Sequence, residues 1–306
     1  MSTLSELLAE HTELPGGTVE HLQRVVAEWQ LLADMSFADF LLWIPLDDAF
    51  LCVAQARPTT GPTAHPEDAV GMRVAARTRP QLRRAVVEGR ICRDEEPHWH
   101  LEVPVRSETI PVRHDGAVVA VLSRDANPAM PRVPSPLEIA YLGSASDLCQ
   151  MVADGTFPPR AAVVGADTSP RAGDGVIRLD ALGLVAYASP NALSAYHRMG
   201  HASDLVGLSL AAETRELVAD PFDAAEIAAR IESGLAGRPS MRIEVAARGA
   251  SMLVRALPLR PRGDAAGALV LVRDVTDLRR RDQALLSKDA TIREIHHRVK
   301  NNLQTV

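Results

Sequence analysis

The segment from Asp274 to Val306 contains neither glycine nor proline, and its apolar residues recur at a spacing of seven. That spacing is the period of a coiled-coil seam, so the pattern predicts one long helix, on the order of 45 Å in length. A lone helix cannot bury such a stripe, and a parallel dimer is the simplest source of a partner helix. The stripe comprises Leu278, Leu285, Ile292, Val299 and Val306.

Near its end this segment carries a histidine pair followed by Arg, Lys and two Asn, in the string HHRVKNNLQ that begins at His296. The string closely resembles the phosphoacceptor box of sensor histidine kinases of the HisKA_2 type. The resemblance implies autophosphorylation on histidine from ATP, followed by transfer of the phosphoryl group to an aspartate of a response regulator. In this family the regulator commonly carries an RNA-binding ANTAR output domain.

The heptad register separates the two histidines. If the stripe marks the a positions, His296 lies at e, beside the seam, and His297 lies at f, facing away from it. An acceptor that must meet a separate ATP-binding domain should face solvent. His297 is therefore the predicted phosphoacceptor, and His296 is the alternative. An imidazole with a pKa of about 6.5 is mostly neutral at pH 7 and can attack a γ-phosphoryl group.

Four neighbours are predicted to assist His297. Glu294 and Asn301 share its helix face, and Glu294 is a candidate to orient the imidazole and accept its proton. Arg298 and Lys300 are candidates to contact phosphate oxygens. Arg298 occupies the position at which commoner histidine kinases carry glutamate, so the usual proton acceptor is absent from the motif.

The composition narrows the class of protein. The 306 residues are 46% hydrophobic, which suffices for two domains and a connecting helix. A net charge of −6 offers no electrostatic basis for direct nucleic-acid binding. The sequence shows no signal peptide or membrane span, and its odd set of three cysteines argues against disulfides, so we expect a cytoplasmic protein.

The chain ends within the predicted helix and lacks the glycine-rich boxes of a kinase's ATP-binding domain. We therefore expect ATP and Mg²⁺ to bind a domain beyond Val306, and the chain alone to be inactive as a kinase.

Residues 1–155 predict an α+β domain with helices on one side of an antiparallel sheet. Helices are expected at 18–32, at 79–88 and from the capping box at Ser135. The second of these should turn Leu82, Val86 and Val87 inward. Strands are expected at 40–46, 50–55, 101–105, 110–114 and 117–123, the last two joined by an Asp115-Gly116 turn. The stretch from Pro111 to Leu122 gives the region a resemblance to a GAF domain.

Residues 156–173 are rich in proline and glycine and predict a linker. Residues 174–276 predict a second α+β domain. Its strands are expected at 176–179, 184–187, 240–246, 252–259 and 268–273, and its helices from Ser189 and at 222–235. The strings DGVI and YASPNAL and the closing Asp274-Val275-Thr276 resemble a PAS domain. Residues 277–306 then form the truncated start of a dimerisation and phosphoacceptor helix.

Three residues are weak candidates for a metal site, because Cys92, His98 and His100 fall within one short stretch. A loop and a strand without metal are the favoured alternative. No prosthetic group is expected, since a flavin adduct in the second domain needs a cysteine and none follows Cys149. A small molecule or cyclic nucleotide in the GAF-like domain is the open ligand hypothesis, and its contact residues are unknown.

Together these patterns predict the sensor region of a soluble two-component histidine kinase that is a homodimer as the whole protein. Arg281 and Lys288, at d positions, weaken the early seam, which suits a helix pair with two arrangements of similar energy. The alternative is a non-catalytic GAF/PAS ligand-binding module whose helix only dimerises. In that case the histidine pair is accidental.

Overall fold

The computed structural model describes residues 3–94, 97–100, 103–127, 134–159, 169–238 and 242–303. Within these residues the chain forms two antiparallel sheets with flanking helices, which confirms the α+β class.

The N-terminal sheet contains β1 (Asp39–Pro45), β2 (Ala49–Ala56), β3 (Arg73–Ala75), β4 (Cys92–Arg93), β5 (His98–His100), β6 (Val103–His114) and β7 (Ala117–Ala126). The strand order is β3-β2-β1-β7-β6-β4, and β5 also pairs with β6. The accompanying helices are α1 (Leu4–His11), α2 (Gly16–Ser36), α3 (Pro80–Glu88) and α4 (Pro136–Ala153).

Helices cover both faces of this sheet, because β1 is apolar on both faces. Phe40 and Leu42 pack with α2 and α4, whereas Leu41 and Trp43 pack with α3 on the opposite side. The expectation of helices on one side only is therefore wrong. A strand that meets water on one face alternates apolar and polar residues, but β1 is apolar from Phe40 to Ile44.

Helix α3 buries a narrower face than expected. Leu82 and Ala85 are buried, but Val87 is 75% exposed. Val87 follows Ala85 by two residues, which turns its side chain by about 200° around the helix axis. The prediction that Val87 points inward is wrong.

The strands expected at 101–105 and 110–114 form one strand, β6, in the described residues. Ser107 and Thr109, between the two expected strands, lie in the sheet with buried side chains. The turn between β6 and β7 is confirmed, with φ of 47° at Asp115 and 82° at Gly116. Positive φ at both central residues is the requirement of a type I′ hairpin turn.

The C-terminal sheet has the order β10-β11-β12-β8-β9. Its strands are β8 (Val176–Leu179), β9 (Val185–Ala188), β10 (Ile243–Ala247), β11 (Ala250–Leu259) and β12 (Gly267–Asp274). Helices α5 (Pro190–Met199), α6 (Leu210–Leu217) and α7 (Pro221–Leu235) pack on one face. Each of these helices has an N-cap residue whose side-chain oxygen accepts a hydrogen bond from a backbone N–H of the first turn. The N-cap residues are Ser189, Ser209 and Asp220, respectively.

The other face of this sheet packs against the N-terminal half of the chain. Leu257 and Leu259 of β11 and Leu269 and Leu271 of β12 join one apolar cluster with residues of α2 and α4. Phe157 and Ala172, from the two described ends of the predicted linker, are buried in the same cluster. The two sheets are therefore joined by a continuous apolar layer.

Helix α8 (Thr276–Leu303) leaves directly from β12, as the sequence predicts. The side chains of Leu278, Leu285 and Ile292 are at least half exposed in the single chain, so nothing in the described chain covers this part of the stripe. The partner helix remains a prediction. No described helix is long and apolar enough to cross a membrane.

Replacing a buried leucine should destabilise the fold far more than replacing an exposed one. Leu122 is 0% exposed in the layer under α2 and α4, and Leu182 is 83% exposed. We expect Leu122→Ala to lower the free energy of unfolding by about 2–5 kcal/mol, because it leaves a cavity. Leu182→Ala should change it by less than about 0.5 kcal/mol. Urea unfolding of both variants measures the difference, and equal effects would contradict the placement of the core.

Candidate functional site

The predicted phosphoacceptor residues lie on α8, and the structure describes their backbone as helical. The side chains of Glu294, His296, His297, Arg298 and Asn301 lie outside the described residues. Their roles therefore remain predictions from the sequence.

The metal candidates do not share one place on the sheet. Cys92 pairs with Thr109 of β6, whereas His98 pairs with Val105 of the same strand. Four strand positions separate these partners, which is about 13 Å. The Cys92 thiol is directed to the carbonyl oxygen of Arg90, and no metal-binding group of His, Cys, Asp or Glu occurs among the described residues. The side chains of His98 and His100 lie outside that description.

A buried polar cluster lies on the α3 side of the N-terminal sheet, centred on Asp125. Its carboxylate accepts hydrogen bonds from His65 Nε2 at 2.7 Å, from Ser107 Oγ at 2.5 Å and from Ser123 Oγ at 3.3 Å. Burial opposes ionisation of Asp125, but the hydrogen bonds from His65 and Ser107 and the charge of Arg79 outweigh it and lower the pKa of this carboxyl. Asp125 is therefore a buried carboxylate.

Trp43 and Arg79 extend this cluster. The indole Nε1 of Trp43 donates to Ser123 Oγ at 3.0 Å. The guanidinium of Arg79 lies over the Trp43 ring, 5.4 Å from its centroid, and 3.7 Å from the Asp125 carboxylate. At 3.7 Å the two charges attract each other without a hydrogen bond between them.

Residues 57–68, in the connection between β2 and β3, form a loop that contacts this cluster through His65 and is held by two aspartates. Asp39 accepts from Thr63 Oγ1 at 2.7 Å and from the Ala64 N–H at 2.5 Å. Asp34, on α2, accepts from the backbone and hydroxyl of Thr59 at 2.6 and 2.9 Å. The position of the loop is thus set by buried carboxylates.

A cavity of about 130 Å³ opens beside the cluster. It is lined by Thr78, Arg79, Gln81, Leu82, Asp94, Ser107 and Thr109. Arg79 and Asp94 give this lining one cationic and one carboxylate side chain, and the other lining residues supply three hydroxyls, one amide and one apolar side chain. Convergent polar groups in a cavity are a feature of small-molecule pockets. A void near 150 Å³ can hold a molecule the size of benzene, which sets the scale for a ligand in this conformation.

The buried thiols of Cys52 and Cys149 resist ionisation. Burial raises the pKa of Cys52 to about 12 and that of Cys149 to about 11. The thiolate is the reactive form, so almost none is present at neutral pH. Metal or redox sensing through either thiol would first require exposure of the side chain.

The junction between the second sheet and α8 is held by several contacts. Asp274 accepts from the Thr276 N–H at 2.9 Å and from Arg198 Nη1 at 2.6 Å. Thr276 Oγ1 accepts from the Ser251 N–H at 3.0 Å. The predicted Asp274-Val275-Thr276 segment therefore fastens the helix to α5 and β11.

Comparisons with known proteins agree with this architecture. A family model for the GAF domain of the histidine kinase PdtaS matches residues 4–145, and a PAS-fold model matches residues 170–280. A solved structure described as the sensor region of a sensor histidine kinase is 49% identical, with a TM-score of 0.81, and the match covers 91% of this chain and 100% of that one. The chain is thus a tandem of GAF and PAS sensory domains.

Full-length relatives narrow the family. The sensor histidine kinase PdtaS of Mycolicibacterium smegmatis is 54% identical over 310 residues, and that of Mycobacterium tuberculosis H37Rv is 54% identical over 312 residues. Each match covers 100% of this chain and 62% of the relative. The chain belongs to the sensor regions of sensor histidine kinases, and it is similar to PdtaS over 62% of the length of those relatives.

The Asp125 cluster should make stability depend on pH. A carboxyl whose pKa is lowered by folding stabilises the fold above its unfolded pKa of about 4, and that stabilisation is lost as the pH falls through the folded value. Asp125→Asn should lower the free energy of unfolding by roughly 3 kcal/mol at pH 7. The difference from the native protein should narrow below about pH 4.

Urea unfolding of both proteins from pH 7 to pH 3 measures this difference. Asp115→Asn, at a largely exposed side chain of the β6–β7 turn, is the matched control and should have little effect. A difference for Asp125→Asn that stays constant with pH would show that its charge is not stabilised by the fold.

Proposed function

We propose that this chain is the sensory part of a histidine kinase that, as a whole protein, phosphorylates itself on His297. One observation carries the proposal: the GAF–PAS tandem of a sensor kinase family leads directly from β12 into the helix that bears the HHRVKNNLQ string. We place ATP and Mg²⁺ in a domain within the part of the relatives that this chain does not span.

In the proposed reaction a ring nitrogen of neutral His297 attacks the γ-phosphorus of ATP. A P–N bond forms as the bond to the ADP oxygen breaks, and the imidazole proton passes to a base, for which Glu294 is the candidate. Arg298 contacts the phosphate oxygens, and Asn301 lies on the same helix face as the acceptor. The phosphoryl group then moves to an aspartate of a response regulator, for which an ANTAR output domain is proposed.

The GAF cavity is the proposed ligand site, and Arg79, Gln81 and Ser107 are the groups available to a ligand. Pockets for drug-sized ligands measure about 300–1,000 Å³, so a cyclic nucleotide would need α3, which supplies Gln81 and Leu82 of the lining, to move outward. A smaller polar molecule fits the present conformation. We place the kinase in the cytoplasm, where such metabolites would reach it.

A second candidate is a non-catalytic ligand-binding module that dimerises through α8. The exposed apolar stripe on α8 favours pairing whether or not a histidine is phosphorylated. Phosphorylation of the whole protein separates the two functions.

The acceptor histidine can be identified in the full-length protein with labelled ATP. We expect His297→Gln to abolish incorporation, because it removes the nucleophile, and His296→Gln to retain it. Label lost only from His296→Gln would transfer the role to His296. No label in the native protein would favour the non-catalytic module.

Replacing the charged seam residues should strengthen the dimer. Leucine at positions 281 and 288, in the double variant Arg281→Leu/Lys288→Leu, is expected to tighten dimerisation at least about tenfold and to lock the kinase in one output state. Sedimentation and autophosphorylation rates measure both effects. The control is Arg280→Leu/Gln283→Leu, at positions c and f outside the seam. If dimer affinity and kinase output were both unchanged, Arg281 and Lys288 would not lie in the dimer seam.

A further inference from the structure

Helix α2 is fixed to the PAS sheet by one buried ion pair. Arg255 of β11 donates to both carboxylate oxygens of Glu28, at 2.9 and 2.8 Å. The two side chains are only 6% and 11% exposed. Loss of either partner would leave a buried charge without compensation, so the two residues stay together.

The same helix holds loop 57–68, whose His65 binds Asp125 beside the GAF cavity. Asp34 binds Thr59 of loop 57–68 and also accepts from Gln30 Nε2 at 3.0 Å. Glu28 and Asp34 are about 9 Å apart along the helix axis. An intact helix moves as a unit over this distance, so a shift of the loop reaches Glu28.

Strand β11 connects Arg255 with the start of α8. Ser251 binds Thr276, and Met252 pairs with Asp274 of β12. Arg255 lies about 13 Å along the strand from Ser251. A shift of β11 relative to α2 therefore reaches the junction from which α8 leaves.

The contact between α2 and the PAS sheet is not packed throughout. A cleft of about 340 Å³ lies beside the ion pair, with Trp29, Ala172 and Leu271 among its lining residues and Thr59 among its polar ones. Close-packed interiors resist displacement, whereas this cleft leaves α2 space to tilt about the Glu28–Arg255 contact.

We propose that the Glu28–Arg255 pair relays the position of loop 57–68 to β11 and, through β11, to the start of α8. The pair is a positioning device between the two sensory domains. The link from loop to strand is independent of phosphorylation, whereas its use in signalling rests on the proposed function.

Amide hydrogen exchange of the whole chain tests the relay. Asp34→Asn weakens the hold on the loop without changing side-chain volume. We expect it to accelerate exchange roughly fivefold at amides of β11 and of the first turn of α8. In an Arg255→Met background the same change should have no further effect on those amides. In the charge-exchanged background Glu28→Arg/Arg255→Glu, Asp34→Asn should again accelerate exchange at those amides.

Glu20→Gln, at an exposed position of α2, is the control and should leave exchange unchanged. If Arg255→Met does not fold, Arg255→Lys keeps the charge but loses the two-point contact and should reduce the coupling. Equal acceleration by Asp34→Asn with and without Arg255 would overturn the relay, as would no acceleration in the native background. Exchange requires no phosphoryl transfer, so failure of the kinase proposal would appear separately.

Discussion

The apolar layer between the GAF helices and the outer face of the PAS sheet is the contact on which the rest of the structure depends. Four leucines of β11 and β12 face α2 and α4 across it: Leu257, Leu259, Leu269 and Leu271. Burial of apolar area stabilises this contact at about 25 cal/mol per Å². Because the PAS sheet also packs on α5–α7, both of its faces are buried, and its strands are held from both sides.

The buried carboxylates of the GAF sheet lie where hydrogen-bond donors reach them. Asp39 and Asp125 lie on sheet positions that an apolar residue would ordinarily fill, yet each accepts hydrogen bonds from the loop that covers them. Unpaired, either carboxylate would be strongly destabilising. The loop is therefore part of the stability of the GAF sheet, and a ligand that displaced it would need to replace those bonds.

The sequence predicted the long elements well because their periodicity is strong. Helices α2, α4 and α7 and all five strands of the PAS sheet appear near the expected positions, and the Asp115-Gly116 turn is confirmed. Helices α1 and α6 and strands β3 and β4 were missed, because short elements carry little periodicity. The Asp125 cluster was also missed. Its members are distant in sequence, and the available signal was Ser123 and Asp125 on the same strand face as the buried Val121.

The strands at which the chain enters and leaves the PAS sheet, β8 and β12, are antiparallel neighbours, with Val176 opposite Leu271. A different domain can therefore be inserted between the N-terminal domain and α8, or the PAS domain can be duplicated, without changing where α8 starts. Such an exchange is restricted by the face of the PAS sheet that packs against α2 and α4. A replacement domain that lacks an apolar surface on this face, or a cation at the level of Arg255, would leave α2 uncovered, which limits the exchange of sensory domains in proteins of this architecture.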